Sequence, residues 1–169
     1  MRVSTRVVLL LALLAMAPLS AFAQDEGVRF YSVGAHFGGE LDHDDSWIVI
    51  GLDSRILLGF KDLELNPRFT FRPFNGGSDA QIDVNILQNY VLANPGRFHP
   101  FVGAGLAIRH TALDAGDAGD THGGLNLLSG TRVSMNNGAH YEPFIQGQYT
   151  IINDSVNPFT IVIGVSFTF

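Results

Sequence analysis

The sequence predicts an all-β protein, an eight-stranded antiparallel up-and-down transmembrane β-barrel. Three observations predict it. After residue 24, apolar residues recur at every second position, the period of a strand. The recurring segments number eight and run to about 11 residues, the length that a tilted membrane strand needs. Their polar face carries Arg and Gly but no Lys, and Lys61 is the only lysine of the chain. Water-facing sheets use Lys freely, whereas Arg suits buried, hydrogen-bonded pairing.

The N-terminal element has a different character. Arg2 and Arg6 precede the apolar run Val7 to Ala17, and Ala21 to Ala23 is a small-x-small cleavage site. Residues 1–23 are therefore predicted as a signal peptide and residues 24–169 as the barrel domain. The chain has no Cys, which excludes a lipidated anchor, a disulfide framework and thiol chemistry. Removing residues 1–23 takes away Arg2 and Arg6 and no acid. It leaves eight basic against sixteen acidic residues, a formal charge of −8, and nucleic acid is not an expected partner.

The eight strands are expected at Val28–Gly38, Trp47–Gly59, Leu63–Pro73, Gln81–Leu92, Pro100–Ala112, Gly124–Asn136, Tyr141–Ile152 and Pro158–Phe169. Turn-rich stretches such as "FNGGSDA" and "LDAGDAGDTHGG" separate them. In the third strand Leu63, Leu65, Pro67, Phe69 and Phe71 share one face, opposite Glu64, Asn66, Arg68, Thr70 and Arg72. In the fourth, Ile82, Val84 and Ile86 oppose Gln81, Asp83 and Asn85. The seventh sets Tyr141, Ile145, Tyr149 and Ile151 against Glu142, Gln146, Gln148 and Thr150. The last places Phe159, Ile161, Ile163, Val165, Phe167 and Phe169 on one stripe. Open sheet edges do not face hydrocarbon, so the last strand closes on the first with this stripe turned to lipid.

That C-terminal pattern, apolar at alternate positions and ending in Phe169, looks like the assembly signal of bacterial outer-membrane barrels. "HPFVGAGLAI" (His99 to Ile108), the Gly-rich stretch after it and "GVSFTF" resemble the small outer-membrane barrel family related to opacity proteins and OmpA-type membrane domains. The resemblance implies a cell outer-membrane location with both termini periplasmic. It also implies outer-membrane lipid and lipopolysaccharide as surroundings, and contact with the barrel-assembly machinery through the strand ending at Phe169. A monomer is expected.

With that topology the outward connections hold Glu40, Asp42, Asp44, Asp45, Asp79, Asp114, Asp117, Asp120 and Asp154 and no base. The periplasmic turns hold Lys61, Arg97 and Asp62. The inward faces hold Arg55, Arg68, Arg72, Arg109 and Arg132 against Asp53, Glu64, Asp83 and Glu142, near the balance that a desolvated interior requires. Counting along the hairpins predicts Asp83 between Arg72 and Arg109, Asp53 beside Arg68, and Glu142 beside Arg132.

No catalytic, cofactor or metal site is predicted. The acidic stretches "ELDHDD" and "DAGDAGDTHGG" lack the closing bidentate Glu of a calcium loop and read as hydrated surface. His110 lies near the outer end of its strand, but Thr111, Ala112 and Leu113 follow it in place of the His-x-Ser-Asn motif of lipid A deacylases. Tyr31, Trp47, Tyr90 and Tyr149 read as girdle or barrel residues. The expected role is a non-enzymatic barrel serving structure or surface contact. The alternatives are a lipid-modifying enzyme or a narrow channel, although an eight-stranded interior is just wide enough for side chains to fill.

Overall fold

The computed structural model describes residues 27–42, 45–60, 62–74, 77–90, 96–113, 119–135, 140–152 and 157–169. The expected signal peptide and Gln24 lie outside these residues, as do Lys61, Asp44, Asp114, Asp117 and Asp154. Eight strands form a closed barrel in chain order. They are β1 (Arg29–Asp42), β2 (Asp45–Leu57), β3 (Leu63–Phe74), β4 (Gly77–Asn89), β5 (Phe98–Leu113), β6 (Asp120–Val133), β7 (Tyr141–Ile152) and β8 (Phe159–Thr168). Every neighbouring pair is antiparallel, and β8 closes on β1 from Ser32↔Thr168 to Leu41↔Phe159.

Side-chain alternation sends the faces where the sequence pattern put them. Large apolar groups stand on the outside, among them Ile48 at 70% exposure. The outward stripe of β8 runs Phe159, Ile161, Ile163, Val165 and Phe167. Polar and charged side chains fill the inside, with Asp53, Arg68, Arg72, Asp83 and Arg132 all buried. An apolar exterior around a polar interior inverts a water-soluble calyx. It matches the arrangement in which lipid bathes the outer face.

Several strands run further than the pattern predicts. β1 and β2 pair out to Asp42↔Asp45, and β3 and β4 out to Phe74↔Gly77. Glu40 and Asp79, expected in surface connections, are therefore strand residues on the inward parity, and both are buried. Their cost of desolvation is met by arginines that face them.

Two local devices hold the wall. At the β2–β3 turn Gly59 (φ +73°) and Asp62 (φ +66°) take left-handed backbone, and the Leu58 and Leu63 amides donate to Leu63 and Phe60 carbonyls. Pro67, inside β3, has no N–H to give to β2. The β2–β3 ladder is interrupted there, between Asp53↔Arg68 and Ile56↔Leu65. The side chain of Asn66 donates instead to the Ser54 carbonyl at 2.8 Å.

Candidate functional site

The chemistry of the chain is concentrated in the lumen, where the charged groups form three layers along the axis. The layer nearest the mouth distal to the termini is built around Glu40. Arg72 of β3 donates to it from Nε (2.7 Å) and reaches it from Nη2 (2.6 Å). Arg109 of β5 lies 3.0 Å away, and Thr160 of β8 donates at 2.9 Å. Asp79 pairs with Arg72 at 3.4 Å and with Arg109 Nε. This layer has two carboxylates and two guanidiniums.

The layer nearest the termini mirrors that count. Arg55 pairs with Glu142 and, at 3.7 Å, with Glu64. Arg132 pairs with Glu64 at 2.9 Å and donates to Asn89 at 2.6 Å. The Tyr31 hydroxyl donates to Glu142 at 3.4 Å, and its ring carries the Arg55 guanidinium at 4.8 Å. Tyr31 thus belongs to the lumen, whereas Tyr90 and Tyr149 stand exposed as girdle residues do. A cavity of about 760 Å³ opens at this mouth, lined by Tyr31, Arg55, Glu64, Asn89, Arg132 and Glu142 among others.

The middle layer contains Asp53, Arg68 and Asp83, joined by His36. Register places Arg68 opposite Asp53 on one side and opposite Asp83 on the other. Arg68 donates from Nε to His36 Nε2 (3.2 Å) and from Nη1 to Gln148 (3.3 Å). A chain of hydrogen bonds then circles the lumen. Gln148 donates to Thr150, Thr150 to Asn126, and Asn126 to Asp83 (2.8 Å). Gln81 connects this layer to the distal one, accepting from Arg72 (2.9 Å) and donating to Asp83 (2.6 Å).

Between the middle layer and the terminus-side layer, Leu87, Phe101 and Leu128 form an apolar cluster on the β4–β6 side. Glycines on adjacent strands make room for it. A Cβ on Gly130 would come within 2.6 Å of the Phe101 ring, and one on Gly103 within 2.6 Å of Leu87. The lumen is packed with side chains, as the strand number requires.

The structure corrects the expected pairing in three places. Arg72 lies opposite Asp79, not Asp83, and reaches Asp83 only through Gln81. Arg109 lies opposite Gln81 and pairs with Asp79 and Glu40. Glu142 pairs with Arg55, and Arg132 takes Glu64. Asp53 does lie beside Arg68, and Asp83 does point inward, at 0% exposure. The expected inward balance of five arginines against four acids becomes five against six once Glu40 and Asp79 are included. His36, absent from the expected set, completes the middle layer.

On the outer surface near the distal mouth, His110 Nδ1 lies 2.9 Å from the Thr121 hydroxyl. The sequence motif hides this pair, because Thr121 comes from the facing strand β6. Among the described residues no carboxylate bridges His110 as the third member of a hydrolytic triad would. Among the described residues there is no cluster of three or more metal-ligating side chains.

Known structures share this architecture. Neisserial surface protein A superposes with a TM-score of 0.66 at 15% identity, over 85% of this chain and all of that one. The fold is that of the small outer-membrane barrels. The N-terminal barrel domain of Pseudomonas aeruginosa OprF gives a TM-score of 0.62 at 15% identity, over 82% and 97% of the two chains. The attachment invasion locus protein Ail of Yersinia pestis gives 0.54 at 16% identity, over 86% and 100%. The outer membrane enzyme PagL is similar more distantly, at a TM-score of 0.50 and 9% identity over 80% and 98%. No family model and no curated protein matches the sequence.

Proposed function

We propose that the protein is a non-enzymatic barrel of the bacterial outer membrane, with both termini periplasmic, serving envelope structure or surface contact. The observation that carries this reading is the lumen: charged layers and an apolar cluster fill it, while large apolar side chains dominate the outside. A filled interior has no room for a porin-type path. The likeness to Neisserial surface protein A and to an attachment protein supports contact through the distal mouth. Lipid and lipopolysaccharide are its surroundings, and the assembly machinery meets it at the strand before Phe169. The test is reconstitution in planar bilayers together with cell fractionation. The expected result is outer-membrane recovery and no steady porin-size conductance. Reproducible large pores from a monodisperse monomer overturn it.

A second reading, lipid modification at the outer leaflet, rests on the His110–Thr121 pair. Lipid A extracted from cells expressing His110→Ala separates the two readings. Under the first it is identical to that from wild-type-expressing cells. An acyl chain lost only with the wild type establishes the second.

A further inference from the structure

The lumen layers differ in charge. The distal layer sets Glu40 and Asp79 against Arg72 and Arg109, two and two. The layer nearest the termini sets Glu64 and Glu142 against Arg55 and Arg132, again two and two. Among the described residues the middle layer sets Asp53 and Asp83 against Arg68 alone. Each of these three groups is buried, and Asp83 is fully so. An uncompensated carboxylate at that depth is the costly state, and among the described residues the one other titratable side chain in the layer is His36, itself buried.

The polar atoms there are incompletely used. His36 Nδ1, Asp53 Oδ1, Asp83 Oδ2 and Asn85 Nδ2 have no hydrogen-bond partner among the described residues. Buried polar atoms without partners are rare in native interiors. Two of these face each other, His36 Nδ1 lying 3.5 Å from Asp53 Oδ1. A third, Asp83 Oδ2, belongs to the residue directly opposite Arg68 on β4. The groups facing His36 can be named strand by strand: Asp53 on β2, Arg68 with Thr70 on β3, Asp83 on β4, uncharged Asn126 on β6 and uncharged Gln148 on β7. The β8 positions level with it, from Thr160 to Ser166, carry no charge, and Glu40 on its own strand is taken by Arg72 and Arg109.

We propose that the middle layer is a proton-binding site: His36 takes up one proton between Asp53 and Arg68, and this exchanges the partner of Arg68. In the neutral ring Nε2 accepts from Arg68 Nε, so the ring proton is on Nδ1. Once the ring is protonated both nitrogens are donors, and Nε2–H faces an N–H of Arg68. The guanidinium then leaves His36 for Asp83 Oδ2, the acceptor opposite it, and the new ring charge tightens the Nδ1–H contact that already faces Asp53 Oδ1 at 3.5 Å. Nε2–H turns to the Thr70 hydroxyl, 3.5 Å away. The proton brings the layer to two positive against two negative groups and gives Asp83 Oδ2 the partner it lacks. The balance is simple: one proton enters from solvent and none leaves.

The experiment is nitrogen NMR of the folded barrel in lipid nanodiscs, with labelled histidine and arginine, between about pH 8 and pH 5, the range of histidine titration. The expected result is conversion of His36 from the Nδ1–H tautomer to imidazolium, with the Arg68 Nε resonance moving at the same midpoint. In Asp53→Asn and in Asp83→Asn the layer already balances with neutral His36, and the conversion is lost across that range. A His36 that stays neutral in the wild type throughout the range overturns the site. So does one that titrates identically in both variants. A His36 titration that leaves Arg68 unmoved overturns the exchange of partners. The wild-type measurement stands alone if either variant fails to fold.

Discussion

Replacing Glu40 with alanine tests the longest departure of the structure from a surface-loop reading. Glu40 is 0% exposed and accepts from Arg72 at 2.7 Å, from Thr160 at 2.9 Å, and pairs with Arg109 at 3.0 Å. Without it, Asp79 is the one carboxylate of this layer left against Arg72, which is buried, and Arg109, which is partly so. Removing one member of a buried ion pair costs about 3–5 kcal/mol, because the remaining charge is left uncompensated. We expect Glu40→Ala to lose stability in that range. The double variant Glu40→Ala with Arg109→Ala restores one acid to one arginine, so its loss falls short of the sum of the singles by about 0.5–3 kcal/mol. Urea titration in lipid vesicles measures both, read by the shift of the unheated band on gels and by fluorescence of the single tryptophan, Trp47. A loss below about 0.5 kcal/mol, the value of an exposed acid, refutes the placement.

Gly130→Val drives a side chain into the Phe101 ring and within 2.4 Å of the Ile145 carbonyl; overpacking of this kind costs about 1–3 kcal/mol, seen in the same urea titration. Ile161→Arg puts a charge on the outward stripe of β8 and costs about 2–4 kcal/mol if it sits at the bilayer midplane. Arg at Gly164, on the inward parity of the same strand, fails for a different reason: a Cβ there meets the Phe144 ring at 2.5 Å, so its loss is unchanged by bilayer thickness whereas that of Ile161→Arg is not. Deleting Phe169, which is 72% exposed, stacks on Phe30 at 5.9 Å and donates its N–H to Tyr31, slows membrane assembly, as pulse-labelled cell fractionation reports.

The faces of the barrel were legible in the sequence because a period of two survives any error at a strand end. Phe69 and Arg68 take opposite sides wherever β3 begins. Strand ends were not legible, since "GGELD" has the composition of a turn and only pairing, Glu40↔Trp47, makes it strand. One signal was present: Glu40 shares parity with Ser32 and His36, and Asp79 with Gln81 and Asp83. Register failed for the same reason. Treating 75–80 as the connection instead of pairing out to Phe74↔Gly77 moves the acid opposite Arg72 from Asp79 to Asp83. His36 escaped notice because charge counting at neutral pH omits histidine. The His110–Thr121 contact is invisible to any motif confined to one strand.

The carboxamide of Asn66, reaching from inside the lumen to the Ser54 carbonyl opposite Pro67, ties the contents of the barrel to its wall. In hydrocarbon a bare carbonyl has no water to turn to. The β2–β3 ladder is therefore complete at this point only when a side chain of the interior is laid across it. Wall and filling meet at Ser54, where a residue of the interior completes the ladder of the wall.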